Sequence, residues 1–259
     1  MSRYRRAIVL GPCIPPLGDT PPLSRTTSKR EVGVEWLERE LRTHGHCSRD
    51  LRIGVDAGVH FWKELNIPPE VAIGDWDSLA EIPGAVRSIK SSTNFSVPYL
   101  EFLKSAQVLT LPKKKDRSDL HYTLRVIQDT GIKQILCIGF TGGRPDHHLA
   151  NLIEFGNMAA QPLMEKITSI GPDAGYYWVS PSTPLIIDQP SDVSVFAWNG
   201  KAEGVNLEGM EYKLRNAKLE ASSRGLSNRV LTTSKGSNAR ISVRRGLLLV
   251  IVPSRRSSQ

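Results

Sequence analysis

Up to about residue 175, short apolar runs alternate along the chain with stretches in which apolar residues recur at helical spacing. Residues 34–41 show that spacing through Val34, Leu37 and Leu41, which would share one face of a helix. Alternating strands and helices are typical of a largely parallel sheet covered by helices. The predicted strands are residues 7–10, 51–55, 71–73, 106–111 and 135–138, and the predicted helices are residues 34–41, 120–127 and 149–158.

After about residue 176 the pattern changes to short runs of β-branched and aromatic residues separated by Gly, Asn, Ser and Pro. This pattern predicts an antiparallel β-sandwich or barrel. We therefore expect an α/β domain with a largely parallel sheet over residues 1–175, and an all-β, sandwich-like domain over residues 176–259. Residues 11–30, which are rich in Pro, Ser and Thr, are expected to form a flexible loop. The predicted strands of the second domain are residues 177–179, 185–187, 193–197, 239–243 and 247–252.

Two carboxylates, Asp75 and Asp77, follow the apolar residues 71–73 and flank Trp76. An apolar run that leads into Gly and Asp is typical of a buried strand that ends in a loop. Along an extended chain, alternation would point both carboxylates the same way. Two such groups stay ionised cheaply only beside a cation, and Mg²⁺ prefers oxygen ligands. The alternative is a solvated turn in which Asp and Ser bind their own backbone.

Two further segments place charged residues at the ends of predicted elements. Lys115, Asp116 and Asp119 precede the helical stretch 120–127, and residues 139–148 bring glycines, Arg144 and histidines directly after an apolar run. In open α/β sheets, ligands bind outside the carboxyl ends of the strands. Carboxylates for a metal, cations for phosphate and glycines for close backbone approach would therefore converge on one edge, which predicts a metal–polyphosphate site.

Taken in order, these motifs resemble the thiamine pyrophosphokinase family. Members typically read Ala-Asp-Gly-Gly, then Gly-Asp-Phe-Asp-Ser, Lys-Asp-x-Thr-Asp, and Gly-Gly-Arg-x-Asp-His followed by Asn. The chain departs from that pattern at Ala57, Trp76 and Ser118, where the family has Gly, Phe and Thr. The resemblance covers roughly residues 50–252, through segments 55–58, 74–78, 115–119 and 142–147 with Asn151, and then 204–214 and 223–228.

The resemblance implies a thiamine diphosphokinase, which transfers a diphosphate from ATP to the thiamine hydroxyl and releases AMP. It implies Mg²⁺ as the cofactor, a first domain that binds nucleotide and metal, and a homodimer whose vitamin site lies between subunits. In such a transfer the polyphosphate charge is neutralised and the reacting groups are held in line, so no covalent protein nucleophile is needed. The chain also lacks a Gly-rich loop ending in Gly-Lys-Ser or Gly-Lys-Thr.

The resemblance also assigns roles to individual residues. The expected catalytic residues are Asp75, Asp77, Asp116, Asp119 and Arg144, and the expected metal ligands among them are Asp75, Asp77 and Asp116. The expected ATP contacts are Asp56, Ser78, Lys115, Arg144, Asp146, His147 and Asn151. The expected thiamine contacts are Tyr212, Ser227 and Asn228.

Several of these residues have an ordinary structural alternative. Asp56 is either a ligand to metal or water, or a polar cap on a turn. Arg144 suits paired phosphate oxygens but could instead form a surface salt bridge. Ser78 could cap the segment that follows it. Ser227 and Asn228 are residue types that are common in β-turns.

The net charge of +8 and the sequence pI near 9.5 raise the alternative of a basic nucleic-acid-binding protein without catalysis. The cations are scattered and no zinc-finger or helix-turn-helix pattern is present, so we expect no nucleic-acid partner. No apolar run reaches the roughly 20 residues that a membrane span needs, so no membrane partner is expected. Cys13, Cys47 and Cys137 show no metal-ligand spacing, which favours a reducing cytoplasm. A related hydroxymethylpterin diphosphokinase is a further alternative.

Overall fold

The structure, a computed structural model, describes residues 4–13, 29–80, 82, 85, 95–233 and 236–254. Most of the predicted loop, residues 14–28, therefore lies outside the described residues. The chain divides into two compact units. The first comprises Met1–Glu154 with Ile170–Pro172, and the second Phe155–Ser169 with Asp173–Gln259. The domain boundary at residue 175 stays a prediction.

Five parallel strands form the sheet of the first unit, in the order β4-β3-β2-β1-β5. Continuous apolar runs such as Ala7–Leu10 are fully buried in it, as expected for a sheet that helices cover. The predicted strands are confirmed to within about two residues. Their bounds are Arg6–Leu10 (β1), Asp50–Val55 (β2), Val71–Gly74 (β3), Gln107–Thr110 (β4) and Gln134–Ile138 (β5).

The three predicted helices are present, and each is longer than its apolar spacing indicated. Three short helices, α2 to α4, were not predicted because fewer than about two turns carry too little periodicity to recognise. The helices are Lys29–Thr43 (α1), Gly58–Glu64 (α2), Asp77–Ala80 (α3), Val97–Phe102 (α4), Asp119–Asp129 (α5) and Pro145–Ala159 (α6).

Two glycines bring the ends of neighbouring strands close together. A β-carbon at Gly58 would lie 1.9 Å from the carbonyl oxygen of Leu10, so only glycine lets α2 begin directly against the end of β1. A β-carbon at Gly74 would lie 3.1 Å from the Cα atom of Asp56. The exit of β3 therefore runs close beside the exit of β2, where Asp56 lies.

The second unit is built mainly from antiparallel strands around a core of branched apolar side chains such as Val195, Val205 and Leu248. Strand β9 is central, since β15, β14, β10 and β11 all pair with it. The bounds are Lys166–Ile170 (β6), Ala174–Val179 (β7), Leu185–Ile187 (β8), Asp192–Glu208 (β9), Leu214–Glu220 (β10), Asn228–Arg229 (β11), Thr232–Thr233 (β12), Gly236–Ser237 (β13), Ala239–Ser242 (β14) and Arg245–Pro253 (β15), with a 3₁₀ turn at Ser223–Gly225.

Strand β9 is much longer than the predicted run 193–197. Asn199 and Gly200, both at positive φ, have the composition of a turn, and the strand bends there without ending. Strands β6 and β10 were also missed because polar residues interrupt their apolar positions. The molecule is thus a mixed sheet structure with helices. None of the helices in the described ranges is long and apolar enough to span a membrane.

Candidate active site

Three carboxylates meet where β2, β3 and the start of α5 come together in the first unit. One oxygen atom from each of Asp56, Asp75 and Asp119 lies within 4.8 Å of the others. Asp56 follows β2, Asp75 follows β3, and Asp119 is the first residue of α5. Asp56 and Asp75 are buried, and Asp119 is partly buried. Such a concentration of negative charge away from water is costly without a cation.

Asp56 binds the segment after β3 through both of its oxygens. Its Oδ2 accepts hydrogen bonds from the Ser78 hydroxyl at 2.6 Å and the Ser78 N–H at 3.3 Å, and its Oδ1 accepts one from the Leu79 N–H at 3.3 Å. Asp56, which follows the neighbouring strand β2, therefore caps the start of α3, and the Ser78 hydroxyl orients the Asp56 carboxylate. Burial raises the pKa of Asp56 to about 7, with nearby Asp77 adding to the rise and the Ser78 hydrogen bond opposing it.

The backbone between the two predicted metal ligands is not extended. Strand β3 ends at Gly74, Trp76 has a φ of 66°, and Asp77 begins α3. The expectation that strand alternation aligns Asp75 and Asp77 was therefore wrong, because a left-handed residue separates them. The N–H of Asp77 instead donates to Asp75 Oδ1 at 3.3 Å.

Trp76 holds this turn in place. Its ring is almost fully buried and packs edge-on against Phe95, with 5.1 Å between the ring centroids. Its indole N–H donates to the Thr110 hydroxyl at the end of β4 at 3.0 Å. Packing of this kind is what sustains a non-glycine residue at positive φ.

Asp77 is exposed, and its Oδ1 accepts a hydrogen bond from the Ser78 N–H at 2.6 Å. Burial acts to raise the pKa of Asp77, but hydrogen bonds with Asp56 and with the Ser78 N–H outweigh it and lower that pKa. The pKa values of the two neighbouring carboxylates are thus shifted in opposite directions, that of Asp56 upward and that of Asp77 downward.

Lys115 places a cation among the carboxylates. Its Nζ donates a hydrogen bond to Asp75 Oδ2 and lies 3.3 Å from Asp119 Oδ1, and only 9% of its side chain is exposed. Burial acts to lower the pKa of Lys115, but the hydrogen bond to Asp75 and the charge of Asp119 raise it overall. Burial raises the pKa of Asp119, whose Oδ1 is buried and has no hydrogen bond of good geometry among the described residues.

Asp116, a predicted metal ligand, is not part of the three-carboxylate group. Its side chain is 84% exposed, accepts a hydrogen bond from the Tyr122 hydroxyl at 3.3 Å and lies 3.8 Å from Arg117. Asp119 lies beside Lys115 instead, with 3.3 Å between Lys115 Nζ and Asp119 Oδ1, although Lys115 itself precedes the helix. The capping Ser118, which starts α5 at Asp119, is the signal that could have favoured Asp119 over Asp116.

The loop after β5 is shaped by two left-handed glycines, Gly142 at φ 97° and Gly143 at φ 64°. The Gly142 N–H donates to His148 Nδ1 at 3.0 Å, and the Asn151 side-chain amide donates to the Phe140 carbonyl oxygen at 2.7 Å. Asn151 therefore ties the end of β5 to α6. His148, which the sequence did not single out, supports the loop.

The predicted phosphate clamp is engaged in an exposed ion pair. Arg144 Nη2 lies 2.6 Å from Asp146 Oδ2, and Arg144 Nε lies 3.2 Å from Asp146 Oδ1. The hydrogen bond from Arg144 lowers the pKa of Asp146 to about 2. His147 is exposed beside this pair. The surface salt bridge considered as an alternative for Arg144 is thus present in this structure.

In the second unit, Asn228 fixes the backbone of Tyr212. The buried amide of Asn228 accepts a hydrogen bond from the Tyr212 N–H at 3.0 Å and donates one to the Tyr212 carbonyl oxygen at 2.8 Å. Tyr212 itself is 65% exposed. Ser227 has a φ of 58° and donates its N–H to the Ser194 hydroxyl at 3.2 Å. Asn228 is therefore a structural anchor for an exposed aromatic side chain.

A helix-covered parallel sheet whose strand ends carry converging carboxylates, a buried lysine and a glycine-rich loop is typical of enzymes that act on nucleotide phosphates. Residues 46–164 match the family model described as thiamin pyrophosphokinase, catalytic domain. Over these residues, just under half of the chain, the protein is similar to the catalytic domain of thiamin pyrophosphokinases, which are ATP-dependent diphosphotransferases.

Solved structures with the same fold carry the same family name. The thiamine pyrophosphokinase from Bacillus subtilis is 21% identical, with a TM-score of 0.67 over 96% of this chain and 99% of that one. The protein from Geobacillus thermodenitrificans is also 21% identical, with a TM-score of 0.65 over 98% and 99% of the two chains. The Candida albicans protein is 13% identical, with a TM-score of 0.55 over 96% and 90%. No curated protein sequence matches the chain.

Proposed function

We propose that the enzyme holds Mg²⁺ between Asp56, Asp75 and Asp119 and uses it to transfer a diphosphate from ATP to thiamine, releasing AMP. The observation that carries this proposal is the convergence of these three carboxylates within 4.8 Å, inside the segment that matches the catalytic domain. Residues 1–175 would form the catalytic domain, and the β-rich remainder a sandwich-like domain.

The donor set fits a hard divalent cation. Three carboxylates would supply oxygen ligands. Burial raises the pKa values of Asp56 and Asp119, as expected where buried carboxylates lack enough positive charge nearby. Asp119 Oδ1 is buried and accepts no hydrogen bond of good geometry from the described residues, so it is available as a metal ligand. Bound Mg²⁺ would supply neutralisation of the polyphosphate charge. Asp77, whose pKa is lowered beside Asp56, would bind the ion directly or through water.

The remaining groups would bind and align ATP. Lys115, beside the carboxylates, and Arg144, in the loop after β5, would supply positive charge to the phosphates, and a guanidinium matches paired oxygens. Arg144 would exchange its exposed partner Asp146 for phosphate, which costs little because exposed ion pairs are weak. The left-handed Gly142 and Gly143 would let the loop backbone approach the nucleotide closely. Ser78, His147 and Asn151 would support these contacts.

The Mg²⁺ affinity of the nucleotide-free enzyme is expected to rise with pH up to about 7, because Asp56 releases its proton when it binds the metal. Affinity should fall by up to about tenfold per pH unit below that value. Calorimetric titration with Mg²⁺ at about pH 6 and about pH 8 measures this difference. Asp56→Asn should weaken binding and remove the pH dependence, and equal wild-type affinities at both pH values would contradict the assignment.

The same group sets a trend in the stability of the metal-free protein. The pKa of Asp56 is raised from 3.8 to about 7 in the folded state, so folding favours the protonated form. Its contribution to stability is therefore complete below about pH 4 and is lost as the pH rises through about 7. Mg²⁺ should accordingly raise the melting temperature most at alkaline pH.

Thiamine is proposed to bind through Tyr212, Ser227 and Asn228. Tyr212→Ala should raise KM for thiamine roughly fivefold or more and leave KM for ATP unchanged, because a stacking surface worth about 1 kcal/mol is removed. Tyr212→Phe retains the ring and should behave as the wild type. Steady-state kinetics with each substrate varied in turn measures both constants, and an unchanged KM for thiamine in Tyr212→Ala would remove this residue from the site.

The enzyme is further proposed to be a cytoplasmic homodimer whose vitamin site draws on both subunits. The three free cysteines are consistent with a reducing compartment. The shared site is tested by mixing Asp77→Asn protein with Asn228→Ala protein, each shown to be folded and inactive. A mixed dimer would contain one intact site, so activity should return. No recovery despite demonstrated subunit exchange would place each site within one chain.

A further inference from the structure

The ammonium group of Lys115 contacts two of the three carboxylates that would hold the metal, Asp75 by a hydrogen bond and Asp119 at 3.3 Å. Its side chain is only 9% exposed, so water screens these charges weakly. The lysine thus neutralises part of the negative charge that burial concentrates here.

A buried ammonium and a divalent ion cannot share Asp75 and Asp119 without strong repulsion between the two cations. The position of Lys115 makes an exchange feasible. Asp119 is fixed at the start of α5, whereas Lys115 lies in the irregular segment that precedes this helix. Its four-carbon stem allows the charge to move while the backbone stays in place.

We propose that Lys115 is an exchangeable internal counterion, which neutralises Asp75 and Asp119 in the metal-free enzyme and transfers its ammonium to a polyphosphate oxygen when a divalent ion enters. This inference rests on the metal site of the proposed function. Lys115 would thus bind first the two carboxylates and then a phosphate oxygen, so that metal binding and nucleotide binding are coupled. A lysine that only bound phosphate, or only supported the fold, would not compete with the metal.

Competition has a distinctive signature in the variant Lys115→Met, which keeps the length of the side chain and removes its charge. Mg²⁺ alone should bind this variant on the order of tenfold more tightly than the wild type, because a competing cation is absent. A non-hydrolysable ATP analogue with Mg²⁺ should bind more weakly, because a phosphate contact is lost. The two affinities therefore move in opposite directions. Lys114→Met removes the same charge from an exposed neighbour and should leave both affinities within about twofold.

Thermal unfolding of the metal-free proteins tests the counterion role without any metal or turnover. Lys115→Met should unfold at a lower temperature than Lys114→Met, and the double variant Lys115→Met/Asp119→Asn should recover much of the loss. If Lys115→Met does not fold, that recovery in the double variant remains the measure of the counterion.

Three results would overturn the exchange. The first is Mg²⁺ binding by Lys115→Met that is no tighter than binding by the wild type. The second is a melting temperature of metal-free Lys115→Met equal to that of Lys114→Met. In either case the exchange is wrong, but the proposed function stands if product formation by the wild type depends on Mg²⁺. The third is a wild type that neither binds Mg²⁺ nor forms product, which would remove the proposed function together with the exchange.

Discussion

Asp119→Asn is expected to reduce kcat/KM for Mg²⁺-ATP by roughly a hundredfold or more, whereas Asp116→Asn should keep it within about threefold. Asp119 belongs to the three-carboxylate group with Asp56 and Asp75, in which one oxygen atom of each residue lies within 4.8 Å of the others. Its Oδ1 is buried beside Lys115. Asp116 is 84% exposed and contacts only surface partners in the described part of the chain. The two substitutions make the same chemical change three positions apart, so they form a matched pair.

Initial rates at limiting and saturating Mg²⁺ separate loss of the metal from loss of chemistry. For Asp119→Asn, high Mg²⁺ should restore part of the activity, since the remaining ligands still bind the ion weakly. If Asp116→Asn were the inactive variant and Asp119→Asn the active one, the ligand set first expected from the sequence would be correct. The loop before α5 would then rearrange when substrate binds.

Asp77→Asn is expected to lower turnover by orders of magnitude without lowering the stability of the metal-free protein. The variant keeps the shape of the side chain but removes the charge that the enzyme would use to hold Mg²⁺. It also removes repulsion toward Asp56, whose pKa is raised partly by Asp77. The melting temperature in the presence of a chelator should therefore be unchanged or higher.

Asp146→Asn is the control for this substitution, because it removes an exposed carboxylate from the same unit without touching the three-carboxylate group. Its effect on Mg²⁺ dependence should be small. Near-normal turnover of Asp77→Asn at limiting Mg²⁺ would exclude Asp77 from the metal site. A fall in its melting temperature would show instead that the residue acts mainly as part of the α3 turn.

The sequence predicted the parallel sheet well because its strands are continuous apolar runs that end in Gly or Asp. Residues 135–138, for example, lie within one residue of the observed β5. Strand β9 was cut short because Asn199 and Gly200 look like a turn, and pairing with β15 continues on either side of the bend. Pairing between distant strands is a tertiary property, so local composition could not reveal it.

The segments that contribute to the site could be predicted from the sequence, but the arrangement of their side chains could not. The sequence left Asp56 as either a metal ligand or a turn cap. The structure gives it the capping contacts and also places it in the three-carboxylate group. The choice between Asp116 and Asp119 depended on where α5 begins, which sequence patterns locate only to within a few residues. The contact of Lys115 with Asp75 joins residues 40 positions apart and has no local signal.

The most direct test of the account is product analysis with purified enzyme, ATP, Mg²⁺ and a panel of alcohols that includes thiamine and hydroxymethylpterin. Mass spectrometry would identify the phosphorylated product, and the nucleotide product would be quantified alongside it. The account predicts thiamine diphosphate and AMP in equal amounts, formed only when a divalent ion is present. Accumulation of ADP in step with product, or diphosphate transfer to the pterin in preference to thiamine, would contradict it.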